Sequence, residues 1–169
     1  MDPARLAVRS RVLRAVRDFF YDEGFVEVET PVRIPAPALE THIDSPPSGR
    51  AWLRASPELH MKRLLADGAA RIFQMGPCFR AGECGRRHNP EFTLLEWYRA
   101  NADYSDILRD TEALLARVFA SVRGAPSFDY AGRRIDLASP WHCATVREAF
   151  GRWAGWDPVA SWDADRFDA

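Results

Sequence analysis

Long apolar runs are missing from this sequence. None approaches the roughly 20 residues that a membrane-crossing helix needs, and the N-terminus lacks the apolar centre of a secretory leader. A cytoplasmic protein without a membrane partner is therefore expected. An excess of charge is missing too: 23 Lys and Arg stand against 24 Asp and Glu, a formal net charge of -1. Domains that coat nucleic acid usually carry a clear basic excess, so this balance lends that class no support. Cysteine is scarce. Cys78, Cys84 and Cys143 are an odd number at spacings that match neither a disulfide framework nor a common zinc pattern. They are expected to be reduced, and no metal site is expected within the chain.

The 169 residues, 47% of them hydrophobic, suffice for one domain with a real core. The most informative stretch runs from Arg71 to Ala100 and predicts two antiparallel strands joined by a charged, glycine-bearing loop. Residues alternate faces along a strand, so Phe73, Met75 and Phe79 fall on one side and Gln74, Gly76, Cys78 and Arg80 on the other. On the return strand Thr93, Leu95 and Trp97 share one face, and Phe92, Leu94, Glu96 and Tyr98 share the opposite one. If the apolar faces pack on helices, a floor carrying Arg80, Phe92, Glu96 and Tyr98 remains, which suits a binding site.

The loop from Ala81 to Glu91 holds Gly82, Glu83, Gly85, Arg86, Arg87, His88 and Asn89. Hairpin loops usually need about two to five residues, so a longer one dense in Arg suggests a polyanion such as a nucleoside triphosphate. Arg makes planar, charge-assisted bonds to phosphate, and Phe92 could stack on a base for roughly 1–3 kcal/mol. Composition alone leaves a solvated charged hairpin with a buried Phe equally open.

Around this hairpin the chain offers ordinary signals. Asp2-Pro3 predicts a helix start, with Leu6, Val12, Leu13, Val16, Phe19 and Phe20 at helical spacing and Gly24 as terminator. Phe25 to Pro31 predicts a short strand. From Ile34 to Arg50 the four prolines Pro35, Pro37, Pro46 and Pro47 predict a surface connection that holds no regular element for long, with His42 solvated. Ala51–Ala55 predicts a strand, and Ser56-Pro57-Glu58 a helix start ending near Gly68. Asp103 should cap a helix from about Tyr104 to Val122, with Ile107, Leu108, Leu114, Leu115, Val118 and Phe119 as its apolar stripe. A small hairpin over Phe128 to Leu137 and a Thr145/Glu148 capping box follow. Trp141, Trp153, Trp156 and Trp162 are expected in core or interface packing. A last helix starts near Ala164 and stops at Ala169 without a cap.

Phe79-Arg80, then His88-Asn89-Pro90-Glu91-Phe92-Thr93, then Glu96-Trp97-Tyr98 resembles motif 2 of the class II aminoacyl-tRNA synthetases in its lysine-specific form. Gly24-Phe25-Val26-Glu27-Val28-Glu29-Thr30-Pro31 resembles motif 1, whose helix and strand form a dimer interface, which implies a symmetric homodimer. Within the group, FRAGE and LLEWYRA most resemble the bacterial ligases that attach lysine or β-lysine to elongation factor P. The resemblance implies the class II catalytic fold, an α/β (α+β) arrangement with a mostly antiparallel sheet flanked by helices. It implies ATP and Mg2+, formation of an acyl-adenylate, and transfer to a lysine of elongation factor P.

Carried over residue by residue, the resemblance implies that Arg80 grips the α-phosphate and the substrate carboxylate. His88 and Asn89 would lie near the phosphates and adenine, and Phe92 would stack on adenine. Glu96 and Tyr98 would face the amino acid, and Ser56-Pro57-Glu58 would line its pocket with Glu58 on the ammonium. The family's usual Glu two residues after the motif 2 Arg is replaced by Gly82, followed by Glu83, so that contact would fall to Glu83 or to backbone. Nothing here resembles motif 3 or the family's magnesium-binding carboxylates, so the chain looks like the front of a longer enzyme. Lysyl-tRNA synthetase is the alternative enzyme; the start of the chain at the motif 1 helix argues against it, and tRNA is not the expected partner. A non-catalytic binding or regulatory module is the alternative of another class.

Overall fold

A computed structural model describes residues 2–138 and 140–168. The chain gathers into two compact units, 1–126 and 127–169.

In the first unit, helix α1 (Pro3–Asp22) is capped as predicted: the Asp2 side chain accepts from the Ala4 amide at 2.9 Å, Pro3 takes the first position, and Gly24 turns the chain away at φ +75°. Burial begins late. Ala15, Val16, Phe19 and Phe20 are buried, whereas Leu6 is 49% exposed and does not belong to the core stripe. Strand β1 (Val26–Glu27) is shorter than the predicted Phe25–Pro31 strand. It runs parallel to β5 (Arg71–Phe79), pairing Val26 with Ile72 and Glu27 with Phe73. Beyond Val28 the chain leaves the ladder because the Gln74 side chain takes up Thr30, accepting from its amide at 3.1 Å and its hydroxyl at 2.9 Å.

The proline-rich connection holds no element longer than two residues, as predicted. Strands β2 (Arg33–Ile34), β3 (Pro47–Ser48) and β4 (Ala51–Leu53) form a small antiparallel sheet in the order β2-β4-β3. Pro47 lies on its edge strand, where a missing N–H breaks no ladder. His42 is exposed. Helix α2 (Glu58–Ala66) follows, with Gly68 at φ +101° beyond its end.

β5 pairs antiparallel with β6 (Glu91–Arg99) over its whole length, Gln74 opposite Glu96 and Cys78 opposite Phe92. The predicted alternation is realised. Phe73, Met75, Leu95 and Trp97 pack toward α1, where Phe20 stacks on Phe73 with centroids 4.7 Å apart and planes at 15°. Each such buried aromatic contributes on the order of 2–3 kcal/mol through area removed from water. Helix α3 (Tyr104–Arg123) closes the core with Leu114 and Val118, capped by a reciprocal Asp103/Asp106 box and ended by Gly124 at φ +75°. Leu108 is 49% exposed, against its predicted place in the stripe. Its neighbour Asp110 is buried and receives two hydrogen bonds from Arg99, at 2.6 and 2.7 Å.

In the second unit, β7 (Ser127–Tyr130) and β8 (Arg133–Asp136) form a hairpin whose turn residues Ala131 and Gly132 both have positive φ, the geometry of the tight two-residue turn. Helix α4 (Val146–Trp153) carries the Thr145/Glu148 box. Trp156 is buried against Phe150, and the Trp141 indole donates to the Leu137 carbonyl at 3.2 Å. Trp162 packs against Trp156 and Phe167, with centroids 6.3 and 5.0 Å away, and Arg152 lies over Trp153, yet the two tryptophans stay 63% and 70% exposed. Helix α5 (Ala164–Asp168) starts at Asp163, whose side chain accepts from the Arg166 amide; Ala169 lies outside the described residues. No helix among the described residues is long and apolar enough to cross a membrane.

Candidate functional site

The face of β5 and β6 turned away from α1 brings most of the predicted residues together in two groups. The first is built on Glu96. Its Oε2 accepts from the Ser56 hydroxyl at 2.8 Å and its Oε1 from the Tyr98 phenol at 2.6 Å. Ser56 also accepts from the Glu58 amide at 3.1 Å, so one hydroxyl both starts α2 and steers the carboxylate. This differs by one residue from the predicted helix start: Pro57 is the cap and Glu58 the first helical residue, with Pro57 fully buried. Burial, and then the hydrogen bond to Glu96, push the Tyr98 phenol far above its ordinary range. Tyr98 thereby stays a donor to Glu96.

Glu58 is not idle. Its Oε1 accepts from the Lys62 ammonium one turn along α2, which raises the Lys62 pKa, with Glu96 contributing at longer range. The Glu/Lys spacing of four is readable in sequence, but Lys62 was not predicted as part of the site.

The second group stands where β5 ends. The ladder is extended by the Arg80 amide, which donates to the Pro90 carbonyl at 2.9 Å, and the next amide, of Ala81, donates to Asp44 at 2.7 Å. The Arg80 guanidinium lies 5.2 Å from the centroid of the Phe92 ring and 3.7 Å from Glu83. Its Nε is buried and has no hydrogen-bond partner among the described residues. Buried donors are nearly always satisfied, so this one marks a place for an acceptor. Glu83 thus stands beside Arg80, which does not decide whether the contact displaced by Gly82 falls to its side chain or to backbone. Gly82 has φ +76° with open space around it, so its backbone angle rather than crowding asks for glycine. One face of the Phe92 ring, the side chain expected to stack on adenine, is covered by the guanidinium.

His88 and Asn89 are not drawn into either group. Both are exposed in the loop, which closes on itself through the Gly85 amide and the His88 carbonyl at 3.0 Å. Cys78 is fully buried beneath this face, and burial pushes its thiol up, so it is no nucleophile. Concavities of about 500 Å³ lie along α1 and beside β5, and neither is lined by Ser56, Glu58, Arg80, Phe92, Glu96 or Tyr98. Among the described residues no three His, Cys, Asp or Glu side chains converge as a metal cluster would.

Comparison with known proteins shows the family of the chain. The family model described as tRNA synthetases class II (D, K and N) matches residues 3–163. A lysine-tRNA ligase of Chromohalobacter salexigens is 40% identical over 167 residues, covering 95% of this chain and 33% of that protein. A lysine-tRNA ligase of Azoarcus sp. (strain BH72) is 37% identical over 151 residues, 86% of this chain and 30% of the relative. One of Pelotomaculum thermopropionicum is 39% identical over 155 residues, 88% and 30%. The chain thus spans about a third of the length of the curated relatives it matches. With its mixed α/β fold and its match over nearly the whole sequence, the chain belongs to the class II tRNA synthetase family (D, K and N).

Proposed function

We propose that this chain carries the ATP-facing strand pair and part of the amino-acid pocket of a lysine-activating ligase. The observation that carries the reading is the buried, unpartnered Nε of Arg80 on the same face as the Ser56–Glu96–Tyr98 group. Lysine would place its ammonium toward Glu58 and Glu96 and its carboxylate toward Arg80. A carboxylate oxygen attacks the α-phosphorus of ATP, a C–O–P linkage forms, the α–β bridging P–O bond breaks, and pyrophosphate leaves with the electron pair. Arg80 offsets the charge that builds on the phosphate, and the rest of the protein's part is positioning. To meet an α-phosphate, the guanidinium leaves Phe92, which frees the ring for adenine. His88, Asn89, Gly82 and Glu83 would close over the phosphates. The described residues offer no cluster for Mg2+, which this reading leaves to the phosphates of ATP.

For the acceptor, the lysine-tRNA ligase relatives support tRNA. The expectation that set tRNA aside rested on where the chain begins, which carries no weight in a chain spanning a third of its relatives. The FRAGE and LLEWYRA stretches, which resemble the elongation factor P ligases, favour a second acceptor, a lysine side chain of that factor, with lysine or β-lysine as the group transferred. A homodimer through α1 and the motif 1 strand, in the cytoplasm, completes the reading.

The test is lysine-dependent exchange of labelled pyrophosphate into ATP, followed by transfer of labelled lysine or β-lysine to tRNA and to elongation factor P. Exchange that disappears in Arg80→Ala supports activation. ATP and lysine binding without exchange in the chain joined to any further segments of its gene product would favour a non-catalytic module instead.

A further inference from the structure

The proposed reading leaves one buried charge unused. Arg54 is 2% exposed, and its guanidinium is bound to uncharged groups. Nε donates to the Pro77 carbonyl at 3.0 Å; Nη1 donates to the Thr30 carbonyl at 2.7 Å, to the Thr30 hydroxyl at 2.9 Å and to the Pro31 carbonyl at 3.5 Å. Its backbone does similar work, the amide donating to Val32 and the carbonyl accepting from Phe79, both at 2.9 Å. Room for Nη2 comes from Gly76, where an added Cβ would stand 3.0 Å away. Burying a cation among neutral acceptors is costly compared with an apolar side chain of equal volume. What an apolar side chain could not do is join Thr30 and Pro31 to the end of β5.

The joined residues matter by position. Pro77 and Phe79 flank the buried Cys78 immediately before Arg80, and Ser56 stands two residues after Arg54 on the same chain. One side chain thus ties the origin of Arg80 to the segment that carries Ser56 and to the end of the motif 1 stretch. We propose that Arg54 is a positioning residue: it fixes where Arg80 leaves the sheet, and so sets the distance between Arg80 and the Ser56–Glu96 group. This rests on the reading that Arg80 meets ATP phosphate. It predicts that a change at Arg54 weakens binding of both ligands that meet Arg80, ATP and the lysine carboxylate, in the folded protein, whereas a merely structural role predicts only a lower melting temperature.

The experiment compares the wild-type chain with Arg54→Lys, which keeps the charge and loses the fork, and with Gly76→Ala, which displaces Nη2 while leaving Arg54 in place. Three readouts are taken well below the melting temperature of each: the nitrogen-15 resonance of the Arg80 Nε–H, ATP affinity, and lysine affinity by calorimetry. The expected result is a shifted Arg80 resonance in both variants, with ATP and lysine affinity each lowered at least about fivefold. An unmoved Arg80 resonance in folded Gly76→Ala overturns the proposal, as do unchanged affinities for both ligands in variants whose Arg80 resonance has moved. Should wild type not bind ATP, the functional reading fails while the Arg80 resonance still decides the positioning role. Should Arg54→Lys not fold, Gly76→Ala decides it alone.

Discussion

Replacing Asp110 by Ala removes the carboxylate from the most deeply buried ion pair in the first unit. Arg99 grips Asp110 with two hydrogen bonds at 2.6 and 2.7 Å, fork against carboxylate, and the two side chains are 14% and 7% exposed. Without Asp110 the guanidinium keeps the Phe25 ring, 4.9 Å from its centroid, and Glu23 at 4.0 Å. Breaking a buried pair from one side typically costs about 3–5 kcal/mol. The two remaining contacts and the residual access to water put this case at the lower end, about 3 kcal/mol. Against a total stability of about 5–15 kcal/mol that is a large share, and it lowers the melting temperature by roughly 10 °C. Urea unfolding followed by far-ultraviolet circular dichroism measures it. The double variant Arg99→Met/Asp110→Leu should recover more than half of the loss, because no charge is left buried. A loss below about 1 kcal/mol for Asp110→Ala, or a double variant as unstable as the single one, would refute the argument that stranded charge is the cause.

Lys62→Met should tighten lysine binding about twofold, since the substrate ammonium no longer competes with an internal one for Glu58; calorimetric titration with lysine checks it, and weaker binding would show that Lys62 serves the site. Tyr98 should remain a phenol in the folded protein to about pH 11, so absorbance titration finds fewer than the four tyrosines ionised there. Because its folded pKa is raised, its contribution is complete below the ordinary tyrosine range and is lost as pH rises toward the folded value; Tyr98→Phe should flatten the alkaline side of the melting profile. Asp106 behaves oppositely. The Asp103 amide first, and then Arg109, hold its pKa below the ordinary value, so its contribution is present above that value and is lost as pH falls through the folded one. Melts from about pH 6 to about pH 2.5 should therefore fall less steeply in Asp106→Asn than in wild type.

Local chemistry made much of the frame legible. The caps at Asp2, Asp103 and Thr145 act within three residues of themselves, so no tertiary partner was needed to foresee them. The two-residue period of β5 and β6 places Arg80, Phe92, Glu96 and Tyr98 on one face whatever packs behind them. Residues whose role depends on distant chain were hidden. Arg54 sits in AWLRA as an ordinary strand residue, yet its partners lie 23 and 24 positions away, at Pro77 and Thr30. Asp110 looks like the polar side of α3 until Arg99 meets it. Leu6 and Leu108 fit a helical stripe by spacing but lie past the edge of what the core covers.

The sequence by itself determined the strand pair, its loop and the residue types on its floor, because strand period, capping and turn chemistry operate over a few neighbouring residues. Only the tertiary structure decided how those residues are engaged: that Arg80 rests on Phe92 with its Nε unpaired, that Ser56 reaches Glu96 across 40 positions, and that Lys62 holds Glu58. Hydrogen bonds and ion pairs depend on distances of a few tenths of an ångström, and those are set by how the elements pack.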